Sequence, residues 1–263
     1  MSKKKKTKAP KKLLGIDIGG SGIKGAPVHA KKGEMLTERH RIPTPKPATP
    51  EACAETVRAV MDFHEWTKPV GLTVPGRVVG GVVETAANID DSWKGVDAEK
   101  LFRKALGVPV TVLNDADAAG IAEVQFGAGR GAEGTVLLLT FGTGIGSALF
   151  TNGHLVRNTE LGHVRYDKRE AEHFAADSAR SRDHLSWERW AKKRVQPVLE
   201  MYEFLLSPDL LIIGGGVSKP SKWESFGPLL KTKARLVPAA LGNEAGIVGA
   251  AYAARRSLQG KEL

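Results

Sequence analysis

Apolar residues in this chain occur in short runs that end in glycine or in an acidic residue. Short apolar runs bounded by glycine and polar residues are typical of buried β-strands. Between them, apolar positions repeat every three or four residues, as at Val57, Val60 and Met61, which predicts helices. This alternation predicts an α/β protein. The predicted strands cover residues 13–18, 70–74, 109–113, 135–140 and 210–213, and the predicted helices cover 50–66, 97–106, a segment ending near 126, 197–206 and 246–256.

Two parts of the chain repeat one local pattern. In each, a strand reaches Asp17 or Phe141, a glycine-rich turn follows, and an apolar segment returns as a second strand. The repetition predicts two α/β lobes with the active site in the cleft between them. The predicted small lobe covers residues 13–115 together with a C-terminal helix at 246–258. The predicted large lobe covers residues 116–245, and residues 1–12 form a disordered lysine-rich tail.

The net charge of +10 is concentrated in that tail. Residues 1–12 contain seven lysines and no acidic residue, so the rest of the chain has 39 − 7 = 32 basic against 29 acidic residues, or +3. This distribution argues against a nucleic-acid partner, and it leaves a solubilising extension or the tethering of a polyanion as roles for the tail. No apolar run is long enough to span a membrane, and no signal peptide is predicted. The single cysteine, Cys53, excludes an internal disulfide and fits a cytoplasmic location.

The stretch from Asp17 to Gly25 predicts a phosphate site. An apolar strand leads into an acidic residue and then into a glycine turn, where backbone N–H groups can converge on an anion. The same stretch fits the dinucleotide-binding pattern G-x-G-x-x-G at Gly20, Gly22 and Gly25. That pattern requires a helix directly after the glycines, whereas residues 26–37 read as strand, turn and strand. A phosphate turn is therefore favoured over a dinucleotide site.

Clusters of glycine and polar residues follow four predicted strands. Ligands of α/β proteins bind at such strand ends. Two glycine turns can hold two parts of a phosphorylated donor, and a carboxylate can act as base towards an acceptor hydroxyl, which is the arrangement of phosphoryl transfer. Asp115 can also be read as a simple helix cap. The clusters are residues 17–22, 114–115, 142–146 and 214–216.

These motifs resemble those of the ROK family (repressors, open reading frames and sugar kinases) in their order and spacing. The resemblance rests on residues 17–21, 113–116, 141–146 and 160–163, and it extends over nearly the whole chain after the tail. The form of residues 19–25 is similar to that of the family's polyphosphate-using glucokinases and glucomannokinases. The resemblance implies an actin-like ATPase (ribonuclease H-like) fold. It also implies transfer of a terminal phosphoryl group from inorganic polyphosphate, and from ATP, to the 6-hydroxyl of glucose, with mannose as a second candidate acceptor.

The resemblance also assigns roles to individual residues. Asp115 would be the catalytic base, Asp17 would position Mg²⁺, and the protein would be a homodimer. The implied sugar ligands are Asn88, Asn114, Asp115, Glu160 and His163. The implied phosphate ligands are Gly19, Gly20, Ser21, Gly22, Lys24, Gly142, Thr143 and Gly144, and the nucleoside of ATP would face Gly214, Gly215 and Gly216.

The sequence departs from the family at a zinc cluster. Many members carry three cysteines after the Glu-x-Gly-His motif, but residues 164–190 contain none. We therefore expect no zinc. The family's second sugar-binding glutamate belongs to that cluster, and Glu170 or Glu172 is its candidate replacement. Long polyphosphate also needs a cationic track, for which the candidates are Arg189, Lys192, Lys193 and Arg194, or Lys219, Lys222, Lys231, Lys233 and Arg235.

Three other functions are compatible with parts of the sequence. An ATP-only hexokinase of the same family would share all the motifs. A sugar-responsive repressor would need a helix-turn-helix segment before the first strand, where only 12 residues are available. A sugar-binding protein without activity would have no need for both Asp17 and Asp115.

Overall fold

The computed structural model describes residues 9–86 and 89–263. Asn88, one of the predicted sugar ligands, lies outside the described residues, as do residues 1–8 of the predicted tail. The strands are β1 (Lys12–Gly19), β2 (Gly22–His29), β3 (Glu34–Met35), β4 (His40–Ile42), β5 (Val70–Val74), β6 (Val78–Val79), β7 (Val82–Val83), β8 (Val110–Asn114), β9 (Thr135–Phe141), β10 (Ile145–Thr151), β11 (His154–Val156), β12 (Arg165–Tyr166), β13 (Arg169–Glu170), β14 (Leu210–Gly215) and β15 (Arg235–Pro238).

Nine α-helices are present in the described residues. Short 3-10 turns lie at Asp91–Trp93, Leu161–His163, Gly227–Leu229 and Gly242–Glu244, and Ala191–Val195 is π-helical. The α-helices are α1 (Pro50–Phe63), α2 (Ala98–Leu106), α3 (Asp115–Phe126), α4 (Ala171–Ala175), α5 (Asp177–Arg182), α6 (Trp187–Trp190), α7 (Gln196–Leu206), α8 (Pro220–Phe226) and α9 (Ala245–Leu258).

All five predicted strands and all five predicted helices are confirmed, with shifts of a few residues at their ends. The predicted end of the tail is wrong, since the described chain is ordered before Leu13. Lys12 pairs with His29 as the first pair of the β1–β2 hairpin, and Ala30 N donates to Lys11 O at 2.8 Å. The returning strand therefore extends the hairpin into the lysine-rich segment.

The chain divides into two compact units. The first comprises the described residues up to Ala122 together with Glu244–Leu263, and the second is Glu123–Asn243. The division falls inside α3 and not before it, where the sequence places the lobe boundary. The first part of α3 belongs with the first unit because Gly249 of α9 packs directly against the backbone of Ala118.

The first unit is built on a six-stranded sheet. Its order is β3-β2-β1-β5-β8, and β4 also pairs with β2. The β1–β2 pair is antiparallel, whereas β1, β5 and β8 run parallel. A buried core that includes Ile16, Leu72, Trp93 and Phe102 fills this unit.

Helix α9 packs against this sheet through two glycines. A Cβ on Gly15 of β1 would collide with the carbonyl oxygen of Ile247, and one on Gly71 of β5 would collide with that of Ala250. Any larger residue would push the helix away from the strands. The absence of a side chain at both positions therefore brings the C-terminal helix to the first unit, next to Asp17.

The second unit repeats the same arrangement with a five-stranded sheet. Its order is β11-β10-β9-β14-β15, in which β9 and β10 are antiparallel and β9, β14 and β15 are parallel. Its core includes Phe141, Trp190, Tyr202 and Phe226. The pattern of a hairpin followed by parallel strands thus occurs once in each unit, as the sequence repetition predicts.

The described residues contain no helix with the length and apolar character needed to cross a membrane.

Cys53 gives a simple test of the packing in the first unit. Its side chain is fully buried, and burial raises the pKa of the thiol to about 11. The thiolate is the reactive form, so we expect no reaction with a thiol-specific disulfide reagent at pH 7.5 until the protein is unfolded with denaturant. Stoichiometric labelling of the native protein within minutes would contradict this packing.

Candidate active site

Three polar residues meet at the carboxyl edge of the first sheet. Asp17 of β1 pairs in register with Thr73 of β5, and Val74 pairs with Asn114 at the end of β8. Because the three strands are parallel, their carboxyl ends open on the same edge. Asp115 follows Asn114 directly. Asp17 is level with Leu113, two strand spacings or about 10 Å away, and Asp115 lies two residues beyond Leu113.

Both carboxylate oxygens of Asp17 have partners within the first unit. Thr73 Oγ1 donates to Oδ1 at 2.6 Å, and Lys24 Nζ lies 3.0 Å from Oδ2. The side chain of Asp17 is 15% exposed. Gly246, in the first turn of α9, lies so close that a Cβ there would be 3.0 Å from the Asp17 carboxyl carbon. The carboxylate is therefore held in place by Thr73, Lys24 and the first turn of α9.

Asn114 positions the start of α3. Its Oδ1 accepts hydrogen bonds from Ala116 N at 2.7 Å and Asp117 N at 3.0 Å, and its Nδ2 donates to Gly76 O at 3.0 Å. This is the pattern of a helix N-cap. The side chain is buried, so its amide serves the protein backbone, and a contact with sugar stays a prediction.

Asp115 is the first residue of α3 and is half-buried. Its Oδ1 accepts from Ala116 N at 2.8 Å. Because Asn114 provides the cap, the simple capping role is already filled, and the role of Asp115 as a base stays a prediction.

The turn between β1 and β2 contains Gly20 and Ser21, flanked by the Gly19–Gly22 pair. None of these glycines adopts the left-handed conformation. Their small size matters instead. Thr44 Oγ1 donates to Gly19 O, and Arg41 Nη2 donates to Ser21 O at 2.6 Å, so the segment after β2 fastens the turn from outside.

The second glycine turn, Gly142–Gly144, joins β9 to β10 in the second unit. Ser178 holds it from α5, since its N–H donates to Gly142 O at 3.0 Å and its Oγ donates to Thr143 O at 2.6 Å. Glu172 Oε2 accepts from Ile145 N at 3.2 Å and packs against Gly144. The turn is therefore rigidly supported, with a carboxylate beside it.

The second unit also gathers a histidine and three glutamates. His163 Nδ1 lies 3.1 Å from Glu170 Oε2 and 3.8 Å from Glu172 Oε1, and its Nε2 lies 3.7 Å from Glu160 Oε2. Partial burial acts to lower the pKa of His163, but the Glu170 hydrogen bond and the charges of Glu172, Glu170 and Glu160 together raise it above its ordinary value. Such groups offer several donors and acceptors to the hydroxyls of a sugar.

The Leu161–His163 turn, which carries part of this cluster, is held by hydrogen bonds and close packing. Tyr202 OH donates to Leu161 O at 2.6 Å, and Ser147 Oγ accepts from Leu161 N at 3.0 Å. Gly162 packs directly against the carbonyl oxygen of Ile145. The predicted sugar ligands Glu160 and His163 are thereby held next to the predicted phosphate turn.

Two groups of described residues are suited to a cation. In the first unit, Asp17 supplies one carboxylate, which is sufficient for Mg²⁺ when phosphates and water supply the other ligands. In the second unit, ligand atoms of His163, Glu170 and Glu172 lie within 4.8 Å of one another. His163 is also a predicted sugar ligand, and Glu170 and Glu172 are the two candidates for the second sugar-binding glutamate.

The glycines at the end of β14 border a cavity. Gly215 has φ of +81° and turns the chain away from the sheet, and Ser218 Oγ donates back to Gly215 O at 2.9 Å. The cavity has a volume of about 410 Å³ and includes Trp223 in its lining. Of the three predicted nucleoside-facing glycines, Gly215 lines it. The volume lies within the range of small-molecule sites.

Three residues of the site were missed or left open by the sequence. Thr73 looks like an ordinary strand residue until the β1–β5 register places it on Asp17. Ser178 belongs to a polar region without a motif. Between Glu170 and Glu172, the structure favours Glu172 as the residue nearer the phosphate turn, because it contacts both Ile145 and His163.

Comparison with known proteins places this geometry in context. The ROK family model matches residues 13–179. The chain is 50% identical to the polyphosphate glucokinase of Mycobacterium tuberculosis over 242 residues, covering 91% of this chain and 90% of that protein.

Solved structures give the same result. The inorganic polyphosphate/ATP-glucomannokinase of Arthrobacter sp. strain KM superposes with a TM-score of 0.89 at 49% identity, over 94% of this chain and 100% of that one. A ROK family glucokinase of Streptomyces griseus, solved with glucose and AMPPNP, superposes with a TM-score of 0.76 at 26% identity, over 93% and 99% of the two chains. The predicted actin-like fold class is confirmed.

Proposed function

The chain belongs to the ROK family, and from this premise we propose that it is a glucokinase that transfers the terminal phosphoryl group of inorganic polyphosphate to glucose. The observation that carries the proposal is the pair of carboxylates, Asp17 and Asp115, at one edge of the first sheet. Asp17 lies beside a glycine turn, and Asp115 is the first residue of α3.

Asp115 acts as the general base. It accepts the proton of the 6-hydroxyl of glucose while the oxygen attacks the terminal phosphorus and the bond to the remaining polyphosphate breaks. Asn114 is a positioning residue, because it fixes the first turn of α3 from which Asp115 projects. A base within hydrogen-bond reach of the hydroxyl contributes about 10²–10⁴-fold in rate.

The proposed sugar ligands include a histidine and two glutamates. Neighbouring hydroxyls of the sugar would donate hydrogen bonds to the carboxylates of Glu160 and Glu172. They would also exchange hydrogen bonds with the imidazole of His163. Ser178 and Glu172 also hold the Gly142–Gly144 turn, whose backbone N–H groups bind phosphate oxygens. Mannose is a second proposed acceptor, because the similar Arthrobacter protein is a glucomannokinase.

Mg²⁺ is the proposed cofactor, with Asp17 as its protein ligand and the donor's phosphates as the remaining partners. When bound, the ion neutralises charge on the transferred phosphoryl group. Thr73 fixes the rotamer of Asp17 by donating to Oδ1 at 2.6 Å. Lys24, 3.0 Å from Oδ2, adds a positive charge next to the glycine turn.

ATP is the proposed alternative donor. The cavity bordered by Gly215, Ser218 and Trp223 offers an apolar wall and a polar rim to a nucleoside. Polyphosphate has no nucleoside and does not need this cavity. A substitution that fills it should therefore affect ATP more than polyphosphate.

Zinc is not part of the proposal. The described residues after His163 offer glutamates in place of the family's cysteines. Carboxylate oxygens are weaker selectors of zinc than thiolates are. Elemental analysis of the purified protein after dialysis should find far less than one zinc per chain, and treatment with a zinc chelator followed by added Mg²⁺ should leave activity unchanged. One tightly held zinc per chain would contradict this expectation.

The test of the function is a coupled assay for glucose 6-phosphate with purified protein and Mg²⁺. Long-chain polyphosphate and ATP are compared as donors, and glucose and mannose as acceptors. Product from polyphosphate and glucose is the expected result. Product from ATP alone would favour the ATP-only hexokinase, and product from neither donor, with glucose still bound, would favour a sugar-binding protein.

A further inference from the structure

Three charged residues form a row across the first sheet. Asp17 of β1 pairs in register with Lys24 of β2, and Lys24 pairs in register with Arg41 of β4. Residues in register on neighbouring strands project to the same face of a sheet. One end of the row is Asp17, which the proposed function places beside the reacting phosphate. The other end, about 10 Å away, is the guanidinium group of Arg41.

The end of this row lies on the glycine turn. Arg41 Nη2 donates to Ser21 O at 2.6 Å. The guanidinium also covers Gly22, where a Cβ would lie 2.5 Å from Nε and 2.7 Å from Cζ. Gly22 thus provides the space in which the Arg41 group rests against the turn. The carbonyl of Ser21 fixes it there.

Arg41 is more available to a ligand than two of the arginines and lysines considered for polyphosphate. It is exposed, and within the described part of the chain it makes this one hydrogen bond and has no carboxylate partner. By contrast, Lys192 pairs with Glu188 and Arg194 with Asp183. An arginine has five N–H donors, so most of its donors are available to a ligand.

We propose that Arg41 forms a subsite for condensed phosphate, which binds the donor chain beyond the phosphates held at the Gly19–Gly22 turn. The inference rests on the proposed function and specifies how that site selects its donor. The planar guanidinium matches two phosphate oxygens at once, which a lysine does not do. A long polyphosphate carries a negative charge on every unit, whereas the charge of ATP ends where its nucleoside begins. Arg41 therefore favours long polyphosphate over ATP.

The test compares kcat and KM for Arg41→Gln and Arg41→Lys with long-chain polyphosphate, tripolyphosphate and ATP. We expect Arg41→Gln to raise KM for long polyphosphate about tenfold, the loss of one charge-assisted contact. We expect the kcat with long polyphosphate to stay within twofold of the wild-type value. The kcat and KM with ATP should change little. Arg41→Lys should fall between wild type and Arg41→Gln. The wild-type KM for polyphosphate should also rise more steeply with salt than that of Arg41→Gln, because one fewer cation binds the chain.

Arg58→Gln is the matched control. Arg58 also donates to a backbone carbonyl of the first unit, that of Ala105, but it lies on α1. The Arg58→Gln variant should have the wild-type kcat and KM with all three donors. Thermal unfolding should confirm that every variant folds.

Two results would overturn the subsite while leaving the kinase in place. An equal loss with polyphosphate and ATP would mean that Arg41 only supports the turn, and no loss with either would mean that it has no role. A wild-type enzyme that is inactive with polyphosphate would instead refute the proposed function, and the subsite with it.

Discussion

Asp115→Asn is expected to lower kcat for glucose phosphorylation by about 10²–10⁴-fold, with either donor. The substituted amide keeps the shape of the side chain but cannot accept the hydroxyl proton. Asparagine also caps helices as well as aspartate does. The start of α3 should therefore be preserved, particularly since Asn114 Oδ1 already accepts from Ala116 N and Asp117 N. The measurement is kcat at saturating donor and glucose, together with the thermal midpoint.

Asp97→Asn is the matched control for this variant. Asp97 is the N-cap of α2, one position earlier in its helix than Asp115 is in α3, and its Oδ1 accepts from Lys100 N at 2.9 Å. It should lose no activity and little stability. If Asp115→Asn retained more than about a tenth of the wild-type kcat, which is well outside the range for a general base, Asp115 would be a structural residue.

Asp17→Asn is expected to have the second largest effect, a loss of about 100-fold in kcat/KM for the donor. Removing a metal-positioning charge costs several kcal/mol of transition-state stabilisation, and about 3 kcal/mol corresponds to a factor of roughly 100. The amide can still accept from Thr73, so the rotamer should be kept. Lys24, however, loses its ionic partner. The variant should also need a higher Mg²⁺ concentration for half-maximal rate.

Asp91→Asn is the control that shows the effect of losing an aspartate–lysine ion pair away from the proposed metal site. Asp91 lies 2.7 Å from Lys94 in an exposed position of the same unit. Exposed ion pairs contribute little, so activity and stability should be unchanged. An unaltered Mg²⁺ dependence in Asp17→Asn would refute the role of Asp17 in placing the cation.

The strands and the residues at their ends could be predicted because both signals are local. Runs such as residues 210–213 are apolar enough to identify a buried strand, and Asp17 and Asp115 follow such runs directly. β15 was not predicted, since its four residues include Arg235 and Pro238, and it forms only because β14 offers a parallel partner at the sheet edge.

Contacts between distant segments could not be predicted. Thr73 meets Asp17 only through the β1–β5 register, and Arg41 reaches the glycine turn only because β4 pairs with β2. Glu172 and Ser178 lie in a stretch without periodicity, and only the folded second unit brings them to the Gly142–Gly144 turn. The role of Gly22 could not be predicted either, because the Arg41 guanidinium that occupies the space beside it comes from β4.

The most direct test of the account is a ³¹P NMR experiment with polyphosphate, glucose and Mg²⁺, performed with the wild-type protein and with Asp115→Asn under identical conditions. We expect the wild type to produce the phosphate ester at the 6-position of glucose, with little free inorganic phosphate, and Asp115→Asn to produce almost none. If inorganic phosphate were the main wild-type product, or if both proteins formed the ester at the same rate, phosphoryl transfer to glucose through Asp115 would be contradicted.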